Sequence, residues 1–180
     1  MKTKELIIKC QNGDQAAFSL LFEEFSDIVF SMAFRIVNKE DEASDIVQET
    51  FISVWENIRK IDPDREFKNW IIRIAVNKCY DLLRKSNYKN QAINNDFILA
   101  QILSEENTPE EQLNNKEIGD IISLIAQELS PKQKLVFVLS ELEEYTQDEI
   151  ADMTGMNKSS IKSNLNLARR RIGQQIEKYL

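Results

Sequence analysis

Residues 41–60 read DEASDIVQETFISVWENIRK, and the placing of the apolar side chains in this stretch decides the fold. Ala43, Ile46, Val47, Phe51, Val54, Trp55 and Ile58 recur at intervals of three and four, the spacing that gathers them on one face of a helix. Strand alternation does not fit. Asp45, Gln48 and Glu49, with Ile52 among them, are left together on the face opposite this stripe.

The same period runs outward on both sides. Upstream, residues 14–37 carry a stripe of Phe18, Leu21, Phe22, Phe25 and Val29; downstream, Phe67, Trp70, Ile71, Ile74, Ala75 and Leu82 predict a third helix ending near Lys85. Three such helices hold enough apolar surface to pack as a small bundle of their own, so a first domain is expected over residues 1–86. Periodicity then fades into Asn-rich and acidic sequence, which predicts a flexible linker over 87–116, with a short helix around Phe97–Leu103.

A second helical domain is expected over 117–180. It opens with a stripe of Ile118, Ile121, Ile122, Ile125 and Leu129. Ser130-Pro131 with Gln133 then gives an N-cap, a proline in the first turn and a capping-box partner for a helix over Lys132–Leu142. Thr146 and Glu149 form another capping box, for a helix to about Met153 that Gly155 can end in a left-handed conformation. Asn157 caps a last helix over Lys158–Gln175. The fold class is therefore all-α: two small helical domains joined by a flexible linker, the C-terminal one with the short helix, turn and longer helix of a helix-turn-helix.

Composition narrows the chemistry. The chain of 180 residues contains no histidine, which removes Ser-His and Cys-His nucleophile pairs, the HExxH zinc site and any imidazole base. Cys10 and Cys79 are too few for a zinc ligand set or a disulfide framework, and two free thiols suit a reducing cytosol. No phosphate loop is present, so the expectation is no enzyme, no metal, no cofactor and no small-molecule substrate. The apolar runs Ile28–Met32 and Leu135–Leu139 are far too short for a membrane span, and Leu6–Ile8 is too short for the apolar core of a signal peptide; no membrane insertion and a cytoplasmic location are expected.

The formal charge is −7, which seems to exclude nucleic acid as a partner. Local sums reverse this. Residues 65–89 hold Arg65, Lys68, Arg73, Lys78, Arg84, Lys85 and Lys89 against Glu66 and Asp81, and residues 157–171 hold Lys158, Lys162, Arg169, Arg170 and Arg171 with no acid. In the first island Asn69, Arg73, Asn77 and Arg84 fall near one helical face with aromatics close by, a pattern suited to tracking phosphates and pairing with unpaired bases. In the second, Ile161, Leu165, Ala168 and Ile172 face inward, so Ser159, Ser160, Lys162, Ser163, Asn166 and Arg170 project outward, small, polar or basic as a major groove requires. Each island, read alone, is also compatible with a solvated helix face. The acidic Asp45–Ile52 face fits a protein partner or plain solvation.

Asp45-Ile46-Val47-Gln48-Glu49-Thr50-Phe51, then residues 67–77 (FKNWIIRIAVN), then Leu129-Ser130-Pro131-Lys132-Gln133 and Thr146-Gln147-Asp148-Glu149-Ile150-Ala151, closely resemble bacterial sigma factors of the extracytoplasmic-function subgroup, in order along nearly the whole chain. The resemblance implies an initiation factor that binds core RNA polymerase and directs it to promoter DNA, with an anti-sigma factor as a further partner. It implies that Asp45, Gln48, Glu49 and Ile52 dock the clamp helices of the largest core subunit. The loop Ile61–Glu66, with Arg65, and the helix bearing Lys68, Asn69, Arg73, Asn77 and Arg84 would capture unstacked −10 bases. Lys158, Ser159, Ser160, Lys162, Ser163, Asn166 and Arg169–Arg171 would read and grip the −35 element. Family members often carry Ser-Arg where this chain has Ser163-Asn164, one cation fewer on the recognition helix. A self-sufficient helix-turn-helix regulator, binding a palindromic duplex without polymerase, and a helical adaptor working only through protein contacts remain the competing readings.

Overall fold

The computed structural model describes residues 2–87 and 129–179, so most of the expected linker, the helix around Phe97–Leu103 and the stripe from Ile118 to Ile125 lie outside it. Every regular element among the described residues is helical: α1 (Thr3–Gln11), α2 (Gln15–Val37), α3 (Glu40–Asn57), α4 (Phe67–Asn87), α5 (Pro131–Phe137), α6 (Gln147–Thr154) and α7 (Lys158–Tyr179). The chain divides into two compact units, Met1–Cys79 and Tyr80–Leu180, the division falling inside α4.

In the first unit the stripes read from sequence form the core. Leu21, Val29, Ala33 and Ile36 of α2, Ala43 and Val54 of α3, and Ile71, Ile72, Ala75 and Val76 of α4 are all completely buried. Removing an aliphatic side chain of this size from water stabilises by about 1.5–3 kcal/mol. Aromatic rings close the seams: Phe25 packs edge-on to Phe67 at 5.0 Å and Phe22 tilts against Phe51 at 4.6 Å.

Three features depart from the sequence expectation. First, α1 is a helix that the short Leu6–Ile8 run did not announce; it buries Leu6, Ile7 and Cys10, too few positions in nine residues to register as a period. Second, Phe22 and Trp55, both expected in the core, are 40% and 38% exposed, because they sit at the edges of the α2 and α3 stripes, Phe22 against Phe51 at 4.6 Å and Trp55 edge-on to Phe18 at 4.8 Å. Third, the α-helical part of α3 ends at Asn57 and passes into a 3-10 turn over Ile58–Lys60.

In the second unit, Ser130 and Gln133 make the expected reciprocal capping box at the start of α5. The expected single helix to Leu142 instead widens into a π-helical turn over Val138–Leu142, where the Glu143 amide donates to the Val138 carbonyl at 3.0 Å. Gln133 through Leu139 are buried without interruption, so this segment is enclosed on all sides rather than amphipathic. Ile150 of α6 and Ile161, Leu165, Ala168 and Ile172 of α7 pack within the same core.

Candidate functional site

The acidic face lies where the α3 period puts it. The helix buries Ala43, Ile46, Val47, Thr50, Phe51 and Val54, which leaves Asp45, Gln48, Glu49 and Ile52 exposed. Ile52 is 58% exposed among polar neighbours. Glu49 reaches α4, where Lys78 Nζ sits 3.4 Å from its carboxylate. Both groups are partly solvated, so this ion pair is a weak tether.

Between the 3-10 turn and the first turns of α4 lies an open groove of about 650 Å³. Phe67, Trp70 and Ile74 supply an apolar floor and Lys60, Asp62 and Arg65 a charged rim. Arg65 lies 3.8 Å from Asp62, and Asn69 Nδ2 donates to Glu66 at 2.6 Å, so both candidate side chains are oriented by loop acids. Lys68, Arg73 and Arg84 are exposed; Asn77 is half-buried, and its Nδ2 donates to the Arg73 carbonyl at 2.8 Å. The Arg84 guanidinium stands over the Tyr80 ring at 5.7 Å. An aromatic floor under a rim of mixed charge, with Lys60 and Arg65 as its cations, can hold a stacked, unpaired base with its phosphate outside.

The turn of the helix-turn-helix is built as the sequence reads. Gly155 ends α6 at φ 71°, where a side chain would be strained, and Asn157 Oδ1 accepts from the Ser160 amide at 2.7 Å to start α7. Thr146 caps α6, and its hydroxyl, followed by its own amide, donates to Glu149, holding that carboxyl below its ordinary range. Lys158, Ser159, Lys162, Ser163, Asn166 and Arg170 are exposed on α7 and Ser160 is half-buried.

The basic side chains of α7 are not equivalent. Lys158 pairs with Asp148 of α6, which raises the Lys158 pKa chiefly through that hydrogen bond. Arg169 Nη2 lies 2.8 Å from Glu141. Arg171 Nη1 donates to Gln133 Oε1 at 3.1 Å, the same oxygen that accepts the Ser130 amide in the α5 capping box. Lys162 and Arg170 carry no such ties among the described residues. Asn164 is turned back on its own helix, donating to the Ser160 carbonyl at 2.8 Å. Sequence spacing put these residues on the exposed face of α7 but gave no sign of the ties, because the partners come from other helices.

Among the described residues there is no group of three or more potential metal ligands and no helix long and apolar enough to cross a membrane.

Residues 21–88 match Sigma-70 region 2, and residues 119–172 match Sigma-70 region 4. The chain belongs to the sigma-70 family. As a sigma factor it directs promoter-specific transcription initiation. The region 2 match takes in both the acidic face and the groove, and the region 4 match takes in the helix-turn-helix. This sigma factor is 27% identical to the ECF RNA polymerase sigma factor SigW of Bacillus subtilis strain 168, over 98% of this chain and 97% of that protein. It is 28% identical to the ECF RNA polymerase sigma-E factor of Haemophilus influenzae, over 96% of this chain and 94% of that one. Its fold is shared with CnrH, solved in complex with the cytosolic domain of CnrY, at a TM-score of 0.64 and 22% identity over 97% of each chain. It is also shared with the sigma factor RpoE of Bartonella quintana, solved with the anti-sigma factor NepR, at a TM-score of 0.60 and 19% identity over 89% of this chain and 96% of that one.

Proposed function

We propose that this sigma factor docks on core RNA polymerase through Asp45, Gln48, Glu49 and Ile52, and holds unstacked −10 bases in the groove beneath Arg65. In this reading α7 grips the −35 element. The domains that do this are residues 1–86 and 117–180, with 87–116 as the linker. The observation that carries the reading is the pairing, within one small unit, of an acidic face with an exposed isoleucine and an aromatic-floored groove whose rim carries Lys60 and Arg65 beside Asp62 and Glu66. A surface that must bind protein and a surface that must stack the bases of an opened strand need those different chemistries.

No bond is made or broken, and the chain is not an enzyme. Its work is to stabilise an open form of DNA: flipping a base from the stack costs a few kcal/mol, which stacking on Trp70 and contacts at the rim offset. On α7, Lys162, Ser163, Asn166 and Arg170 support the duplex contact most directly, because Lys158, Arg169 and Arg171 already have protein partners. The place of action is the cytoplasm, where polymerase and promoter are. An anti-sigma factor that covers these surfaces is the partner by analogy with the complex solved for the Bartonella quintana relative.

The test is reconstitution. The full chain with core polymerase is expected to initiate transcription from a promoter of its own genome, and Asp45→Ala with Glu49→Ala to lower affinity for core about tenfold while leaving the helical signal unchanged, since both side chains are exposed and the Glu49–Lys78 pair is a weak tether. Wild-type affinity in the double variant would overturn the docking assignment. Tight duplex binding without core would favour a self-sufficient regulator.

A further inference from the structure

Beyond Lys60, the rim of the groove is formed by residues 61–66, which connect the 3-10 turn to α4. Within this connection the hydrogen bonds are local: the Arg65 amide donates to the Asp62 carbonyl at 3.1 Å and the Asp64 amide to Asp62 Oδ1 at 3.0 Å. Such bonds shape the turn but do not fix where it sits.

The fixing contacts come from α1. Gln11, the last residue of that helix, commits both amide hydrogens to the segment: Nε2 donates to the Ile58 carbonyl at 3.0 Å and to the Ile61 carbonyl at 2.8 Å. Both bonds are part-buried and span 47 and 50 residues of chain. Lys4, on the same helix, pairs with Asp64 at the middle of the loop, but that pair is largely exposed and holds weakly. α1 is anchored in turn by Leu6, Ile7 and Cys10, all buried in the core. A helix anchored in the core thus grips the start of the rim through Gln11, which is not among the residues that line the groove.

We propose that Gln11 is a positioning residue for base recognition: through the Ile58 and Ile61 carbonyls it pre-sets the loop that carries Asp62 and Arg65, without touching DNA itself. The proposal rests on the reading of the groove as the −10 site. Its physical content is preorganisation. With Gln11 in place the rim is ordered before the strand arrives; without it, the entropy of ordering opposes binding. The loss falls on contacts made by the rim, which depend on base identity, and spares the phosphate contacts of Lys68, Arg73 and Arg84, which are borne by a helix that Gln11 does not hold.

The test uses the full chain assembled with core polymerase and a pool of DNA opened over a randomised six-base −10 segment, with the bound fraction sequenced. Gln11→Met fills the site without a donor, Gln11→Glu offers only acceptors to two carbonyls, and Gln11→Lys keeps a donor of similar reach. The proposal expects Gln11→Met to flatten base enrichment about fivefold while total retention of the pool stays near wild type, and Gln11→Lys to recover the enrichment. If Gln11→Met does not fold, Gln11→Glu takes its place. Unchanged enrichment in the donor-free variants overturns the proposal, as does an equal fall in enrichment and total retention, which a merely structural role would give. Arg65→Ala and Trp70→Ala separate the two readings. If they too leave enrichment unchanged, the groove is not the −10 site and both fail; if they abolish it while Gln11→Met does not, only the role of Gln11 fails.

Discussion

Thr50 sits in the middle of α3, fully buried, and its hydroxyl has no hydrogen-bond partner among the described residues. A hydroxyl taken out of water without a replacement partner costs about 1–3 kcal/mol. The side chain occupies the core face of the same helix that presents Gln48 and Glu49 outward, so its cost is borne by the element proposed to dock polymerase. Replacing the hydroxyl with a methyl keeps the β-branched shape and removes the penalty. Thr50→Val is therefore expected to stabilise the first unit by about 1 kcal/mol, a rise of about 4 °C or more in the midpoint of its calorimetric transition. An unchanged or lowered midpoint would mean the hydroxyl finds a partner in solution.

At the scale of elements, α6 depends on its capping box. Glu149 accepts from the Thr146 hydroxyl at 2.7 Å and the Thr146 amide at 2.8 Å, and these bonds favour the ionised carboxylate, lowering its pKa from the ordinary value of 4.5. A group whose folded pKa is depressed contributes stability that is present above the unfolded value and is lost as pH falls through the folded one. Glu149→Gln keeps an acceptor but no charge. The gap in unfolding midpoint between wild type and this variant is thus expected at pH 7 and expected to close as pH is lowered below the carboxylate range; a gap that persists at low pH would assign the effect to packing. The caps also mark what could be read in advance. Ser130-Pro131-Gln133, Thr146-Glu149, Gly155 and Asn157 act over three or four residues, so sequence alone places them. The long α2, α3 and α4 were legible because several core positions per helix leave a period. What escaped had no local signal: α1 is too short to show one, the π turn over Val138–Leu142 continues the helix with no breaker in the sequence to mark it, and the Gln11 and Arg171 ties join residues distant in the chain. The candidate site divides in the same way, its faces legible from period and charge, its groove visible only once Phe67, Trp70 and residues 61–66 come together in space.

At the scale of the molecule the distribution of charge matters more than its sum. Residues 86–117 carry two bases against six acids, so over half of the net −7 resides there and the rest of the chain is nearly balanced. An acidic body suppresses indiscriminate binding to duplex DNA, and the basic islands act once polymerase has positioned them. On α7 this separates cations that meet phosphate from cations that hold the fold. Lys162 and Arg170 are exposed and untied among the described residues, whereas Arg171 braces Gln133 at the head of α5. Removing one cation from a phosphate lowers the slope of log affinity against log salt by about 0.9. Holoenzyme carrying Lys162→Ala with Arg170→Ala is expected to bind a −35 duplex, taken upstream of a transcript that rises on overexpression, with a slope shallower by about 1.8 and an unchanged melting profile. Arg171→Ala is expected to do the opposite, keeping the slope while lowering the melting midpoint of the second unit, because it strips a partner from a buried amide. If instead Arg171→Ala flattens the salt dependence and leaves melting untouched, the guanidinium leaves Gln133 for the DNA, and the division of labour along α7 is wrong.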